Sequence, residues 1–229
     1  MRVRYLMGVV ATVAVLAGCG QGAAGERPEG TASSSPAPDQ TASVSQELAE
    51  AALLGVTDLP DGWMPRPPDS GGGAAGSDYL GAWEPVECDP SDLLGEDSLV
   101  NTSKAYVGPH ESTFRMRVQS GLADPPEDLL DAYAELVADC PVVAQVGSTQ
   151  SARAEQEILT DYPELGERTL AVSQAVETSD GRYFWIYSAL VVEDESLITF
   201  TATGPTLFVD SDVRELAPLG MDRYHEIVG

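Results

Sequence analysis

Two arginines, Arg115 and Arg117, stand at alternate positions of "TFRMRVQ", and three aromatic residues, Tyr183, Trp185 and Tyr187, stand at alternate positions of "RYFWIYSALVV". Alternation with a period of two puts each set on one face of a β-strand. A guanidinium suits a carboxylate ligand, which its fork of donors can meet with two parallel hydrogen bonds. An aromatic row can line an apolar pocket whose polar tips orient what enters. These five are the candidate ligand-binding residues. Each set also has a plain structural use, the arginines in salt bridges to neighbouring acids and the aromatics in the core.

Reagents for catalysis are scarce. The two histidines, His110 and His225, lie in no HExxH or G-x-S-x-G context and at no ligand spacing from a cysteine, so both read as surface residues. "GGGAAG" has the glycines of a phosphate-binding loop but no lysine after it. "DPSDLLGED" and "EDE" fail the calcium-loop template, which needs oxygen ligands at fixed positions around a central glycine. The two carboxylates a glycosidase uses cannot be picked out among 37 acids. The sequence therefore predicts no catalytic residues, no cofactor and no metal centre.

One acidic pattern is regular. Glu127, Asp131, Glu135 and Asp139 recur every four residues on a predicted helix, where like charges cost about 0.2–0.5 kcal/mol per pair. Asp139 also falls at the helix C-terminus, where the macrodipole disfavours an anion. A divalent cation, a basic partner, or Arg115 and Arg117 across the fold would offset this; a solvated acidic face is the plainer reading.

The elements that position these residues can be read from periodicity and turn chemistry. "SVSQELAEAALLG" predicts a serine-capped helix ending near Gly55, with Leu48, Ala52 and Gly55 along one side. A second helix runs from Pro126 towards Cys140 with Leu129, Tyr133, Leu136 or Val137, and Cys140 facing inward. Strands are predicted at Lys104–Val107, Thr113–Gln119, Glu157–Thr160, Leu170–Val176, Arg182–Val192 and Leu197–Thr203, with "SDGR" and "EDES" as hairpin loops and "PDSGGGAAGSD" as a longer loop. A terminal helix starts near Asp210 or Ser211 and breaks at Pro218 and Gly220. Without regular strand–helix alternation, the fold class is α+β: a twisted antiparallel sheet of about five or six strands packed with helices.

The N-terminus fixes an address. Arg2 and Arg4 precede an apolar run, Leu6 to Leu16, too short to cross a hydrocarbon core of about 30 Å as a helix but suited to a signal peptide. Leu16-Ala17-Gly18-Cys19 resembles the bacterial lipobox, which implies cleavage before Cys19 and lipid attachment to its thiol. Dual acylation would hold such a chain firmly, at about 0.8 kcal/mol per buried CH₂. The predicted organisation is a lipoprotein signal peptide over 1–18, a flexible Gly/Ser/Pro/Ala stalk over 19–43, and a single extracytoplasmic domain over 44–229 at the outer face of the cell membrane. With Cys19 acylated, Cys88 and Cys140 are an even pair in an oxidising compartment and are expected to form a disulfide.

Formal charge is −25, and loss of Arg2 and Arg4 with no acid takes it to −27. Nucleic acid is a poor partner for such a surface, which attracts cations or basic proteins and favours a soluble monomer. Lys104 is the only lysine and Asn101 the only asparagine, a usage that fits a GC-rich, actinobacterial source.

The lipobox and stalk, followed by "LGVTDLPDGW", "GAWEPVEC", "ADCP", "YPELGERTLAV" and "RYFWIYSALVVEDESLITFT", together resemble actinobacterial surface lipoproteins. From about Ser45 onward they are similar to the extracellular sensor domains of PknH-type serine/threonine kinases. The resemblance implies a disulfide-stabilised α+β domain with a central antiparallel sheet and a cleft for a small ligand; no binding residue is carried over from it. The chain departs from that family in having one disulfide pair where the kinase domains have two, and no kinase or transmembrane helix stands beside the domain. Two functions follow as expectations. One is a non-enzymatic, sensor-like domain for a small molecule or envelope component. The other is an interaction lipoprotein that recruits a basic partner through its acidic surface.

Overall fold

Nine strands form one antiparallel sheet in the order β1-β3-β4-β9-β8-β7-β6-β5-β2. The computed structural model describes residues 42–67, 82–91, 93, 98–147, 150–207 and 209–229; the leader, Cys19, nearly all of the stalk, the "GGGAAG" loop and most of "DPSDLLGED" lie outside them. The chain runs α1 (Gln46–Ala52), β1 (Met64–Pro65), β2 (Ala82–Glu84), β3 (Ser98–Val107), β4 (Thr113–Leu122), α2 (Pro126–Asp139), β5 (Val142–Val146), β6 (Ser151–Ile158), β7 (Arg168–Thr178), β8 (Tyr183–Glu193), β9 (Ser196–Gly204) and α3 (Val209–Val228).

The α+β class holds, but the sheet has nine strands rather than five or six. The three additional strands are β1, β2 and β5. The first two are edge strands of two and three residues, and β5 begins just after Pro141 ends the preceding helix.

Topology follows from one long step. β4 and β5 stand far apart in the sheet, so the chain between them, which contains α2, crosses β9, β8, β7 and β6 on one face. A meander from β5 to β9 then returns to β4. Tight turns set its register: Asp194 and Glu195 both have positive φ, 48° and 60°, as a two-residue I′ hairpin requires. Gly181, at φ 81°, serves the β7–β8 loop.

Each helix is held by its own apolar stripe. Ser45 caps α1 by accepting the Leu48 N–H at 3.3 Å. The buried side of α1 is Ala49 and Ala52, continued by Leu53 and Leu54; Ala52 lies on it as expected, while Leu48 is 43% exposed and Ala49 takes its place. α2 buries Pro126, Leu130, Tyr133 and Val137 against Val172, Leu190 and Val192.

α3 is one helix of 20 residues with Pro218 inside it, not two broken at Pro218 and Gly220. An interior proline costs about 3 kcal/mol, and burial of Val213, Leu216, Ala217, Met221 and Tyr224 offsets that cost. Gly220 lets the helix sit close to the sheet: a Cβ there would lie 2.4 Å from Phe200 Cε1. Phe200 in turn stacks on Phe114 with centroids 6.1 Å apart, and Trp63 meets Phe114 edge-on at 6.2 Å.

Two restraints tie the periphery down. Cys88 and Cys140 form the expected disulfide, with Cα atoms 6.0 Å apart. Cys88 comes from a 3-10 turn after β2, and Cys140 caps α2; both are buried with Val143. At the N-terminal side, the Ser43 hydroxyl donates to the Asp194 carbonyl at 2.7 Å, and the Val44 N–H donates to the Ser120 hydroxyl at 3.3 Å.

Candidate functional site

The helices cover opposite faces of the sheet at different strands. α1 and α3 pack on the face that carries Phe114, Met116, Phe200, Ala189 and Val191. α2 packs on the other face, over Val172, Leu190 and Val192. Each face therefore has a region that no helix of the described residues covers: on the α2 side it lies over β3, β4 and β9, and on the α3 side over β5, β6 and β7.

The first region is a groove of about 240 Å³. Its floor is built by register. Ala105, Arg115, Thr201 and Ser188 are cross-strand neighbours on β3, β4, β9 and β8, and Arg117 pairs with Thr199 in the next row. Arg66 joins from the edge, where its N–H donates to the Ala105 carbonyl at 2.8 Å. Because Ala105 is small, the two guanidinium-bearing side chains flank it with nothing bulky between. Tyr133 of α2 forms a wall, and Thr113 and Thr203 complete the lining.

Charge distribution makes this groove unusual for the molecule. Arg153, Arg168, Arg182, Arg214 and Arg223 each pair with a carboxylate. Arg115 is half-buried, and its guanidinium has no ion pair or hydrogen bond among the described residues. Burial, and then the nearby charge of Arg66, hold its pKa below the ordinary arginine value. It remains a cation at neutral pH, because an arginine does not deprotonate in a protein. Arg117 donates to Asn101 Oδ1 at 2.9 Å. Tyr133, 7% exposed, has no hydrogen-bond partner among the described residues, and burial raises its hydroxyl to a pKa of about 12. Among the described residues no acid lines the groove.

The second region is a shelf of about 550 Å³ that includes Trp185, Tyr187, Glu155, Glu157, Ser173 and Leu207. Tyr183, at the exposed start of β8, belongs to a different depression with Arg182, Phe184 and Glu111.

The five candidate residues thus do not converge. Arg115 and Arg117 lie in the groove on the α2 face, Trp185 and Tyr187 lie on the opposite face, and Tyr183 lines a separate depression that meets the groove at Thr113 and Thr203. The register decides this: Arg115 aligns through Thr201 with Ser188, and Ser188 and Trp185 are an odd number of residues apart, so they point to opposite sides. Reading single strands missed Arg66, Tyr133, Ser188 and the threonines. The alternation in "TFTATG" carried a signal for Thr199, Thr201 and Thr203. Arg66 carried none, because a two-residue strand among prolines has no period.

The acidic stripe on α2 is offset at Asp131 by an arginine the sequence reading did not name. Arg168 of β7 does this, bonding both carboxylate oxygens of Asp131 and the Glu127 carbonyl. Among the described residues no group of three or more His, Cys, Asp or Glu could hold a metal ion, and no helix is long and apolar enough to cross a membrane. His110 and His225 are exposed, and His225 Nε2 lies 3.0 Å from Glu193 Oε1.

The architecture defines an α+β domain: one open antiparallel sheet with helices on both faces and a disulfide at its margin. One solved structure it is similar to is the extracellular domain of PknH from Mycobacterium tuberculosis, with a TM-score of 0.55, over 80% of this chain and 97% of that one at 13% identity. At that identity the likeness is one of fold, and at that level the resemblance read from the sequence holds. An uncharacterised protein from Mycobacterium smegmatis aligns over 75% of this chain and 79% of that one at 14% identity, with a TM-score of 0.38 that carries no argument. No family model matches the sequence, and no curated protein matches it.

Proposed function

We propose that this chain is a lipid-tethered, extracytoplasmic, sensor-like domain that binds a small molecule or envelope component in the groove over β3, β4 and β9, without catalysing a reaction on it. The observation that carries the reading is Arg115, a half-buried cation left without a carboxylate partner among the described residues of a protein with 37 acids. Strongly acidic proteins do not lack partners for an arginine, and burying a charge without one is costly. Such a group is kept where a ligand completes it. Among the described residues the groove lining contains no carboxylate, histidine or cysteine, which fits binding better than acid–base or nucleophilic chemistry. The PknH extracellular domain supplies a precedent for the fold.

A thermal-shift screen of the full-length chain against envelope metabolites and cell-wall fragments tests this. Stabilisation by one of them, lost when groove residues are replaced, is the expected result. A panel without any stabilising compound counts against it. Membrane attachment is tested separately, by mass spectrometry of the native product for a diacylglyceryl group on Cys19.

The shelf favours a second reading. Trp185 and Tyr187 beside Glu155 and Glu157 suit a cationic group, through ring faces and carboxylates together, and so a basic partner in the envelope. Pull-downs at low and high salt test it, because a charge-steered partner is lost as screening rises.

A further inference from the structure

The chemistry of the groove specifies the class of ligand. Three arginines, Arg66, Arg115 and Arg117, line it together with the hydroxyls of Ser188, Thr199 and Thr201, and among the described residues no acid does. Guanidinium groups recognise carboxylate or phosphate oxygens through charge-assisted, often paired hydrogen bonds. A row of hydroxyls, each both donor and acceptor, recognises other hydroxyls. At about 240 Å³ the space is just below the usual range of small-molecule sites, which run from about 300 Å³ upward, so it takes a body the size of one sugar ring. The surrounding protein sets a further limit. With a formal charge of −25, its field repels an extended polyanion, whereas a small ligand can bury its one anionic group in the groove.

We propose that the groove binds a small hydroxylated oxyanion, with Arg115 as the main partner of its phosphate or carboxylate and Ser188, Thr199 and Thr201 bonding its hydroxyls. The proposal rests on the reading of the groove as the ligand site.

Isothermal titration of the full-length chain with glucose 6-phosphate, gluconate, glucose and inorganic phosphate tests it and separates the two anion types. One of the hydroxylated anions binds, glucose does not, and inorganic phosphate binds more weakly than the sugar phosphate if that is the form preferred. Arg115→Gln weakens the favoured anion at least tenfold, in line with the roughly 1.5–3 kcal/mol typical of a charged hydrogen bond. Thr201→Val, which keeps the side-chain shape, weakens it several-fold. Circular dichroism establishes that both variants fold, and either alone suffices if the other does not.

Glucose binding as well as the anions do, anion affinity unchanged in Arg115→Gln, or no binding by any of the four probes overturns the proposal. The first of these, if Thr201→Val weakens glucose, leaves the groove standing as a ligand site and removes only the anion. A ligand from the wider screen found seated on the Trp185 shelf instead removes the groove itself.

Discussion

Arg66 and Arg115 flank Ala105 on the same face of the sheet, two like charges separated by a single small residue across β1, β3 and β4. A fold selected for stability alone would not keep this pair. Replacing Arg115 with methionine, which preserves the aliphatic stem, is expected to stabilise the empty protein by about 1 kcal/mol, the scale of relieving one unsatisfied polar group, which is about 2–4 °C in melting temperature for a chain this long. Thermal unfolding in a buffer free of phosphate and carboxylate checks this. A fall in melting temperature would mean that the guanidinium already has adequate protein partners.

The disulfide joins positions 52 residues apart, and on the chain-entropy estimate a loop of that size contributes about 4 kcal/mol. The Cys88→Ser, Cys140→Ser double variant should lose stability of that order in urea unfolding, and reductant should shift the wild type to the same midpoint. Reduction without any shift would show that burial of Leu136 and Val143 holds that margin unaided.

Asp131 carries a pH dependence with a definite sign. The hydrogen bond from Arg168 holds its carboxyl below the unfolded value of 3.8, so its stabilisation is present above that value and is lost as pH falls through the lower folded one. Asp131→Asn should unfold at lower urea than wild type at pH 6, with the gap shrinking at pH 3. The same gap at both values would place its origin outside the carboxylate charge.

Gly220 in α3 tests close packing against helix propensity. Alanine in a helix is favoured over glycine by about 0.8–1.0 kcal/mol, but here its methyl would meet Phe200 at 2.4 Å. Overpacking of this kind costs about 1–3 kcal/mol. Gly220→Ala is therefore expected to be destabilising by about 1 kcal/mol in denaturant titration, and a stabilised variant would show that α3 lifts from the sheet at little cost.

Long, strongly patterned elements were legible in the sequence. "TFRMRVQ" and the strands β7, β8 and β9 announced themselves by alternation and by hairpin loops, and α2 by its 3.6-residue stripe. The short edge strands were not, since Met64–Pro65 and Ala82–Glu84 are strands only because Tyr106–Val107 and Ala144–Val146 are there to pair with. α3 was read as broken because Pro218 is judged locally, while the core it covers is assembled from distant residues. At the site, each strand's own alternation was correct, but the relation between strands was not available. "RYFWIYSALVV" is apolar on both faces, so nothing in it says which side Trp185 shares with Arg115. A one-residue change of register inverts that answer, and only pairing through β9 supplies it.

The pinning of Ser43 and Val44 beside Ser120 and Asp194 has a directional consequence. It fixes the exit of the N-terminal segment at one end of β4, whereas Thr113 and Thr203 mark the other end of the β4–β9 pair, about 23 Å away at 3.3 Å per residue. The contacts of Ser43 and Val44 therefore bear on the Ser120 end of the pair and leave the threonine end of the groove untouched.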